Sequence, residues 1–73
     1  MENKVLKKDA KIGRRIRRLR KGLNLTQEQL AEQIGVSTTH VGLVETGQRK
    51  MSLKTLQKTA RILKVKVRDL IPY

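Results

Sequence analysis

The sequence of 73 residues contains no cysteine, and no run of consecutive apolar side chains is longer than two residues. Without cysteine the chain can form neither disulfides nor thiolate metal sites, so we expect it to work in a reducing, cytoplasmic compartment. Without a long apolar run we expect neither a membrane-spanning helix nor a secretory signal. The length is sufficient for one domain with a small core.

Aromatic and acidic residues are also scarce. Tyr73 is the only aromatic residue, and 6 acidic side chains stand against 18 Lys and Arg, which gives a net charge of +12. A small domain with this excess repels itself, and a polyanion is the usual partner that offsets the repulsion. Nucleic acid and an anionic membrane both qualify. Binders of single strands stack bases on aromatic rings, so the composition favours a duplex.

The basic residues are concentrated at the start of the chain. Residues 1–21 hold ten of the 18 Lys and Arg and two of the acidic residues. This composition predicts a basic arm over residues 1–8, either disordered or adding sequence-independent affinity for DNA. A single domain is then expected over residues 9–73.

The spacing of apolar residues in this domain predicts helices. Ile12, Ile16 and Leu19, for example, recur at i, i+4 and i+7, which places them on one face of a helix. Start and stop signals divide the domain into five helices, at about residues 9–21, 26–34, 37–46, 52–63 and 67–71. We therefore predict a compact all-α fold of five helices.

The helices expected at 26–34 and 37–46 have the pattern of a helix-turn-helix. Thr26 and Gln29 have the spacing of a capping box, and Ser37 is the expected N-cap of the second helix. Gly35 tolerates a positive φ in the turn, and Ala31 is small where the second helix crosses the first. The outward face of the second helix presents short or uncharged side chains that can approach base edges: Thr38, Thr39, His40 and Leu43.

With these features the chain resembles the Cro and lambda-type phage repressors, also called XRE-like regulators. The resemblance spans about residues 12–71 and rests on three segments: IRRLRKGLNLTQEQLAEQIGVS, VETGQRKMSLKTL and ARILKV. Several offsets match together, so the resemblance is more specific than a lone helix-turn-helix pattern. Within the family, THVGLVETGQRKMSL is similar to the corresponding stretch of restriction–modification controller proteins. The resemblance implies a lambda-repressor-like fold and sequence-specific DNA binding.

The resemblance also implies roles for individual residues. Thr38, Thr39 and Leu43 match positions that face base edges, and Arg20 and Glu45 match an ion pair between the first and third helices. Phosphate contacts are expected at the starts of the two helices and in the loop after them: Thr26, Gln27, Ser37, Gln48, Arg49 and Lys50.

Direct readout is expected to use unusual side chains. Two threonines and a leucine stand where many family members have Gln, Arg or Asn. They favour contact with thymine methyl groups, and His40 or Arg49 would add hydrogen bonds.

Other classes of function fit the sequence less well than DNA binding does. The sequence shows no acid–base pair, activated nucleophile or metal-ligand cluster, so we expect neither an enzyme nor a cofactor. An antitoxin, or another protein-interaction module that also binds DNA, remains an open alternative. A cationic membrane-binding protein is disfavoured, because interfacial helices usually carry Trp or Phe on their apolar face and this chain has neither.

These observations predict a transcriptional regulator that binds double-stranded DNA as a homodimer on a two-fold-related operator. It would act by occupying the operator, either blocking RNA polymerase or contacting it. No membrane contact and no small-molecule ligand are expected. The dimer surface is expected among apolar side chains left over from the core: Ile62, Ile71 and Tyr73.

Overall fold

The computed structural model describes residues 7–71, and of Lys7 the backbone alone. Five helices follow one another: α1 (Lys7–Gly22), α2 (Gln27–Ile34), α3 (Thr38–Glu45), α4 (Leu53–Ile62) and α5 (Val67–Leu70). The predicted all-α fold of five helices is confirmed, and residues 7–71 contain no strand. No helix in this part of the chain is long and apolar enough to cross a membrane.

The start of α1 differs from the sequence prediction by two residues. Lys7 and Lys8, which the sequence places in the basic arm, are helical. Asp9 explains the earlier start, because it lies in the first turn of the helix, where a negative charge is favourable. Residues 1–6 of the predicted arm lie outside the described residues.

Side-chain caps fix where the next helices begin. The Thr26 hydroxyl accepts a hydrogen bond from the Gln29 N–H at 3.0 Å, and the Gln29 side chain accepts one from the Thr26 N–H at 2.8 Å. The predicted capping box is therefore present at the start of α2. Ser37 and Ser52 cap α3 and α4 in the same manner, each with its hydroxyl accepting from a backbone N–H three residues later.

The core lies between all five helices. α1 packs on α3 and α5, α2 packs on α3 and α4, and α4 packs on α5. Ten apolar side chains are buried there: Ile16, Leu30, Ala31, Ile34, Val41, Val44, Leu56, Ala60, Leu63 and Leu70. Every helix contributes at least one of them, so no single helix can keep its apolar face out of water without the others.

The spacing of apolar residues in α4 predicts one buried stripe of Leu53, Leu56, Ala60 and Leu63, and for Leu53 this prediction is wrong. Leu53 belongs to the apolar stripe of that helix by spacing, yet 62% of it is exposed, because it is the first helical residue and lies at the edge of the packed region. Thr59 is fully buried instead. Its hydroxyl donates to the Thr55 carbonyl at 2.8 Å, which removes the cost of burying an unpaired polar group.

Candidate nucleic-acid interface

α2 and α3 are joined by a tight turn of the kind that the sequence predicts. Gly35 has a φ of 87°, in the left-handed region, and its N–H donates to the Ala31 carbonyl at 2.8 Å. Ala31 is buried and only 2% exposed. The small side chain and the left-handed residue together bring α3 back across α2 as a helix-turn-helix.

Two side chains in the first turn of α3 are open to solvent. Thr38 and Thr39 are exposed, and Leu43, one turn further along, is half-buried. Ser37 caps the N-terminus of α3, because its hydroxyl accepts a hydrogen bond from the His40 N–H at 3.0 Å. Hydroxyl and methyl groups thus project from a helix N-terminus, where the helix dipole also favours an anionic partner.

A buried ion pair joins the first and third helices. Arg20 Nε donates to Glu45 Oε2 at 2.6 Å, and Arg20 Nη2 donates to Glu45 Oε1 at 3.0 Å. The side chains of Arg20 and Glu45 are 8% and 2% exposed. Arg20 Nη1 also donates to the Leu25 carbonyl in the α1–α2 loop, at 2.7 Å. One arginine therefore fixes α1, α3 and the loop relative to one another through a bidentate contact.

Gln27, at the start of α2, belongs to the same network. Its Nε2 donates to Glu45 Oε1 at 3.0 Å, and its side chain is half-buried. Since an amide nitrogen has two hydrogens, one remains for a phosphate. The expected phosphate-contacting side chain is thus held in place by the ion pair, a connection that the sequence does not show.

His40 is only partly available for contact with DNA. Its Nε2 is buried and has no hydrogen-bond partner among residues 7–71. This nitrogen cannot reach a base edge in this conformation. A DNA contact by His40 would have to use the other atoms of the ring.

The loop between α3 and α4 exposes Gln48, Arg49 and Lys50. Gln48 Nε2 donates to the Thr46 hydroxyl at 3.0 Å, which directs that side chain along the end of α3. Neither cation is within ion-pair distance of a carboxylate in the described part of the chain. The loop therefore offers two uncompensated positive charges next to α3.

Gly13 is a structural residue of this site that the sequence pattern did not single out. A Cβ at Gly13 would lie 2.6 Å from the Glu45 carbonyl oxygen and closer still to that of Val44. The absence of a side chain lets α1 approach the last turn of α3, and this contact places Arg20 beside Glu45. The available signal was a glycine within a predicted helix, which costs about 0.5–1 kcal/mol relative to alanine and therefore needs a reason.

Comparison with known proteins identifies the family. Residues 16–70 match the helix-turn-helix family. The chain belongs to this family. This helix-turn-helix protein is 38% identical over 60 residues to YazB of Bacillus subtilis, an uncharacterized HTH-type transcriptional regulator; the match covers 82% of the chain and 87% of the relative.

Two solved structures extend the comparison. The restriction–modification controller protein C.AhdI from Aeromonas hydrophila superimposes with a TM-score of 0.81 and 42% identity, covering 85% of this chain and 94% of that one. SinR of Bacillus subtilis, described as the master regulator for biofilm formation and solved in complex with DNA, has a TM-score of 0.75 and 33% identity. That match covers 81% of this chain and 95% of the SinR chain in that structure. The predicted lambda-repressor-like fold and the predicted class, a DNA-binding transcriptional regulator, are confirmed.

The dimer candidates are not alike in this helix-turn-helix protein. Ile62 and Ile71 are half-buried and pack against the core, so part of each side chain remains open. Tyr73 lies outside the described residues. The dimer surface stays a prediction.

Gly42→Ala tests how closely the middle of α3 approaches DNA. A Cβ there would lie 3.7 Å from the side-chain amide of Gln27, an ordinary contact. Gly42→Ala is therefore expected to raise the free energy of unfolding by about 0.5–1 kcal/mol, since glycine is unfavourable inside a helix. Thermal unfolding measures this gain. If the more stable variant binds DNA less tightly, the added methyl group interferes with binding, either directly or through the neighbouring Gln27; unchanged binding would show that it does not.

Proposed function

We propose that this helix-turn-helix protein binds double-stranded DNA as a homodimer on a two-fold-related operator and regulates transcription by occupying it. The observation that carries the proposal is the exposed first turn of α3, with Thr38 and Thr39 at its surface and two uncompensated cations in the following loop. A helix N-terminus that enters the major groove reads bases, while flanking cations bind phosphates.

The contacts divide by chemistry. Thr38, Thr39 and Leu43 contact base edges, with methyl groups directed at thymine, and His40 contributes through ring atoms other than Nε2. The expected phosphate contacts lie at the two helix starts and in the loop: Thr26, Gln27, Ser37, Gln48, Arg49 and Lys50. Thr26 and Ser37 already accept a backbone hydrogen bond, and each hydroxyl can still donate its hydrogen to a phosphate oxygen.

Dimerisation follows from the size of the reading surface. Two residues in one turn of α3, and a leucine one turn later, cover only a few base pairs, which is too little for a selective site. Two copies related by a two-fold axis double the site and place half-sites about one helical turn apart. Ile62, Ile71 and Tyr73 are the proposed contact residues. RNA polymerase is the further partner, blocked or contacted according to the position of the operator.

The similarity to C.AhdI supports a more specific proposal. This chain shares 42% identity with that restriction–modification controller and matches nearly all of it. We infer that this chain likewise controls the genes of a restriction–modification system from the cytoplasm and carries out no catalytic step. An antitoxin that also binds DNA is the alternative, and a stable complex with a second protein in pull-downs would favour it.

Selection of binding sites from random duplex DNA tests the proposal. We expect a two-fold-related consensus with half-sites about one helical turn apart, and ultracentrifugation should show two copies of the protein per site. A single undivided site bound by one copy would contradict the homodimer. The absence of any selected consensus would contradict sequence-specific regulation as a whole.

Substitutions at Lys50 and Leu43 distinguish a phosphate contact, which is independent of sequence, from a base contact, which is specific to the operator. Lys50→Ala is expected to weaken binding to operator and to random duplex equally. It should also reduce the magnitude of the slope of log binding constant against log salt concentration by about 1 per bound copy. Leu43→Ala is expected to cost about 1–3 kcal/mol on the operator alone, because an apolar side chain contacts a thymine methyl. Binding isotherms on both duplexes over a range of salt concentrations measure both effects.

Uracil provides the matched control for Leu43. Replacing the contacted thymine by uracil removes only the methyl group, so the unmodified protein should lose most of the same affinity. On the uracil-containing operator, Leu43→Ala should then have little further effect. If Leu43→Ala instead lowers the affinity for operator and for random duplex equally, and also lowers the melting temperature, then Leu43 stabilises the fold and does not read bases.

A further inference from the structure

A second charged surface lies on α1, outside the helix-turn-helix. Nine of the 16 residues of this helix are Lys or Arg, and only one is acidic. Six of the basic side chains lie together on one side of the helix: Lys11, Arg14, Arg15, Arg17, Arg18 and Lys21. We call this surface the outer basic face. Among residues 7–71, Arg15 alone of the six has a side-chain hydrogen bond, to the Asp69 carbonyl at 3.3 Å.

The outer basic face carries uncompensated charge. None of its six side chains is within ion-pair distance of a carboxylate among residues 7–71. Neighbours three and four residues apart on a helix lie about 5–6 Å from one another, which is within the Debye length at physiological salt. These like charges therefore repel one another, and a bound anion would relieve the repulsion.

Two residues of this face, Arg14 and Arg18, lie on a different side of α1 from the residues that contact α3. At 3.6 residues per turn, Arg14 and Arg18 are each about 160° around α1 from Ile16, the buried core residue of the helix. Gly13 and Arg20 are the residues that meet α3. Measured from these two residues, Arg14 is about 100–120° and Arg18 about 140–160° around the helix, so we expect a straight duplex bound on α3 not to reach them.

The dimensions fit the backbone of a duplex. From Lys11 to Lys21 the helix rises about 15 Å, a length over which duplex DNA carries about nine phosphates. The face contains no aromatic ring for stacking single-stranded bases and no apolar strip for insertion into a lipid surface. The charge of this face therefore favours the phosphate backbone of a duplex over a single strand or a lipid surface.

We propose that the outer basic face of α1 binds the phosphate backbone of a second DNA duplex, so that one protein molecule can hold two duplex segments together. The contact is independent of sequence, because it involves phosphates alone. It goes beyond the proposed function, which requires one duplex on α3 and says nothing of a second.

A capture experiment with the full chain tests this proposal. A 40-base-pair duplex of random sequence is immobilised and loaded with protein, and a fluorescent 40-base-pair duplex is then added at about 0.1 M salt. The test variant is Arg14→Gln/Arg18→Gln, and the control is Lys58→Gln/Arg61→Gln, which removes the same charge from exposed positions on α4. Fluorescence anisotropy measures the affinity of each protein for a single duplex, and thermal unfolding confirms that each variant folds.

The test variant is expected to lose capture of the second duplex and to keep its affinity for a single duplex. The test variant should lose at least about tenfold in capture of the second duplex, as expected for two missing phosphate contacts, with single-duplex affinity within about twofold of the unmodified chain. The control should keep both properties. Capture that survives in the test variant overturns the proposal, as does equal loss in the control. Parallel loss of capture and of single-duplex affinity would place α1 on the same duplex as α3 and would also overturn it. A failed operator selection is a separate readout and contradicts only the proposed function.

Discussion

Gly13→Ala should destabilise the fold strongly, although alanine is the better helix former. The added Cβ would lie 2.6 Å from the Glu45 carbonyl oxygen and nearer to that of Val44, both of them backbone atoms that cannot rotate away. α1 would have to move off α3, and we expect a loss of about 3 kcal/mol in the free energy of unfolding. For a domain of this size, that lowers the melting temperature by about 12–24 °C.

Gly22→Ala, at the C-terminal end of the same helix, is the matched control. A Cβ at Gly22 meets no atom within 4 Å, so the same substitution should change the free energy of unfolding by no more than about 0.5 kcal/mol. Denaturant titration of both variants measures the difference. Equal stability of the two would mean that α1 and α3 do not cross closely at Gly13.

Glu45→Ala is expected to have an effect of similar or larger size. Arg20 would then remain buried with only the Leu25 carbonyl as a partner, and an uncompensated buried charge costs about 3–5 kcal/mol. Gln27 would lose its acceptor as well, so its amide would no longer be held at the start of α2. We therefore expect lower stability and, where the variant remains folded, weaker binding to duplex DNA.

A double-mutant cycle isolates the ion pair. Arg20→Ala and Glu45→Ala should be strongly non-additive in the free energy of unfolding, because either change alone already removes the interaction. Glu32→Ala, which removes an exposed carboxylate from α2, is the control and should be nearly neutral. Additive effects of Arg20→Ala and Glu45→Ala would show that the pair contributes nothing.

Local features of the fold were predictable because their causes lie within a few residues. Thr26 bonds to Gln29, Ser37 to the His40 N–H, and Gly35 to Ala31, each three or four residues apart. Such spacings are visible in the sequence, as is the apolar periodicity that marks the buried faces. The charge of +12 likewise indicates a polyanionic partner from composition alone.

The resemblance supplied what spacing could not. Arg20 and Glu45 are 25 residues apart, and nothing in their local context suggests that they meet. The family pattern implied the pair, and the structure contains it as a bidentate contact. The same pattern placed Gln27 against a phosphate without indicating that Glu45 orients it.

The sequence by itself determined the class of fold, the starts of α2, α3 and α4 and the helix-turn-helix, since these follow from short-range hydrogen bonding and from the periodicity of apolar residues. Only the tertiary structure decided the role of Gly13, the attachment of Gln27 to Glu45, the burial of His40 Nε2 and the exposure of Leu53. Each of these depends on how closely segments distant in the chain approach one another. That distance is set by the packing of the whole core, and no local pattern encodes it.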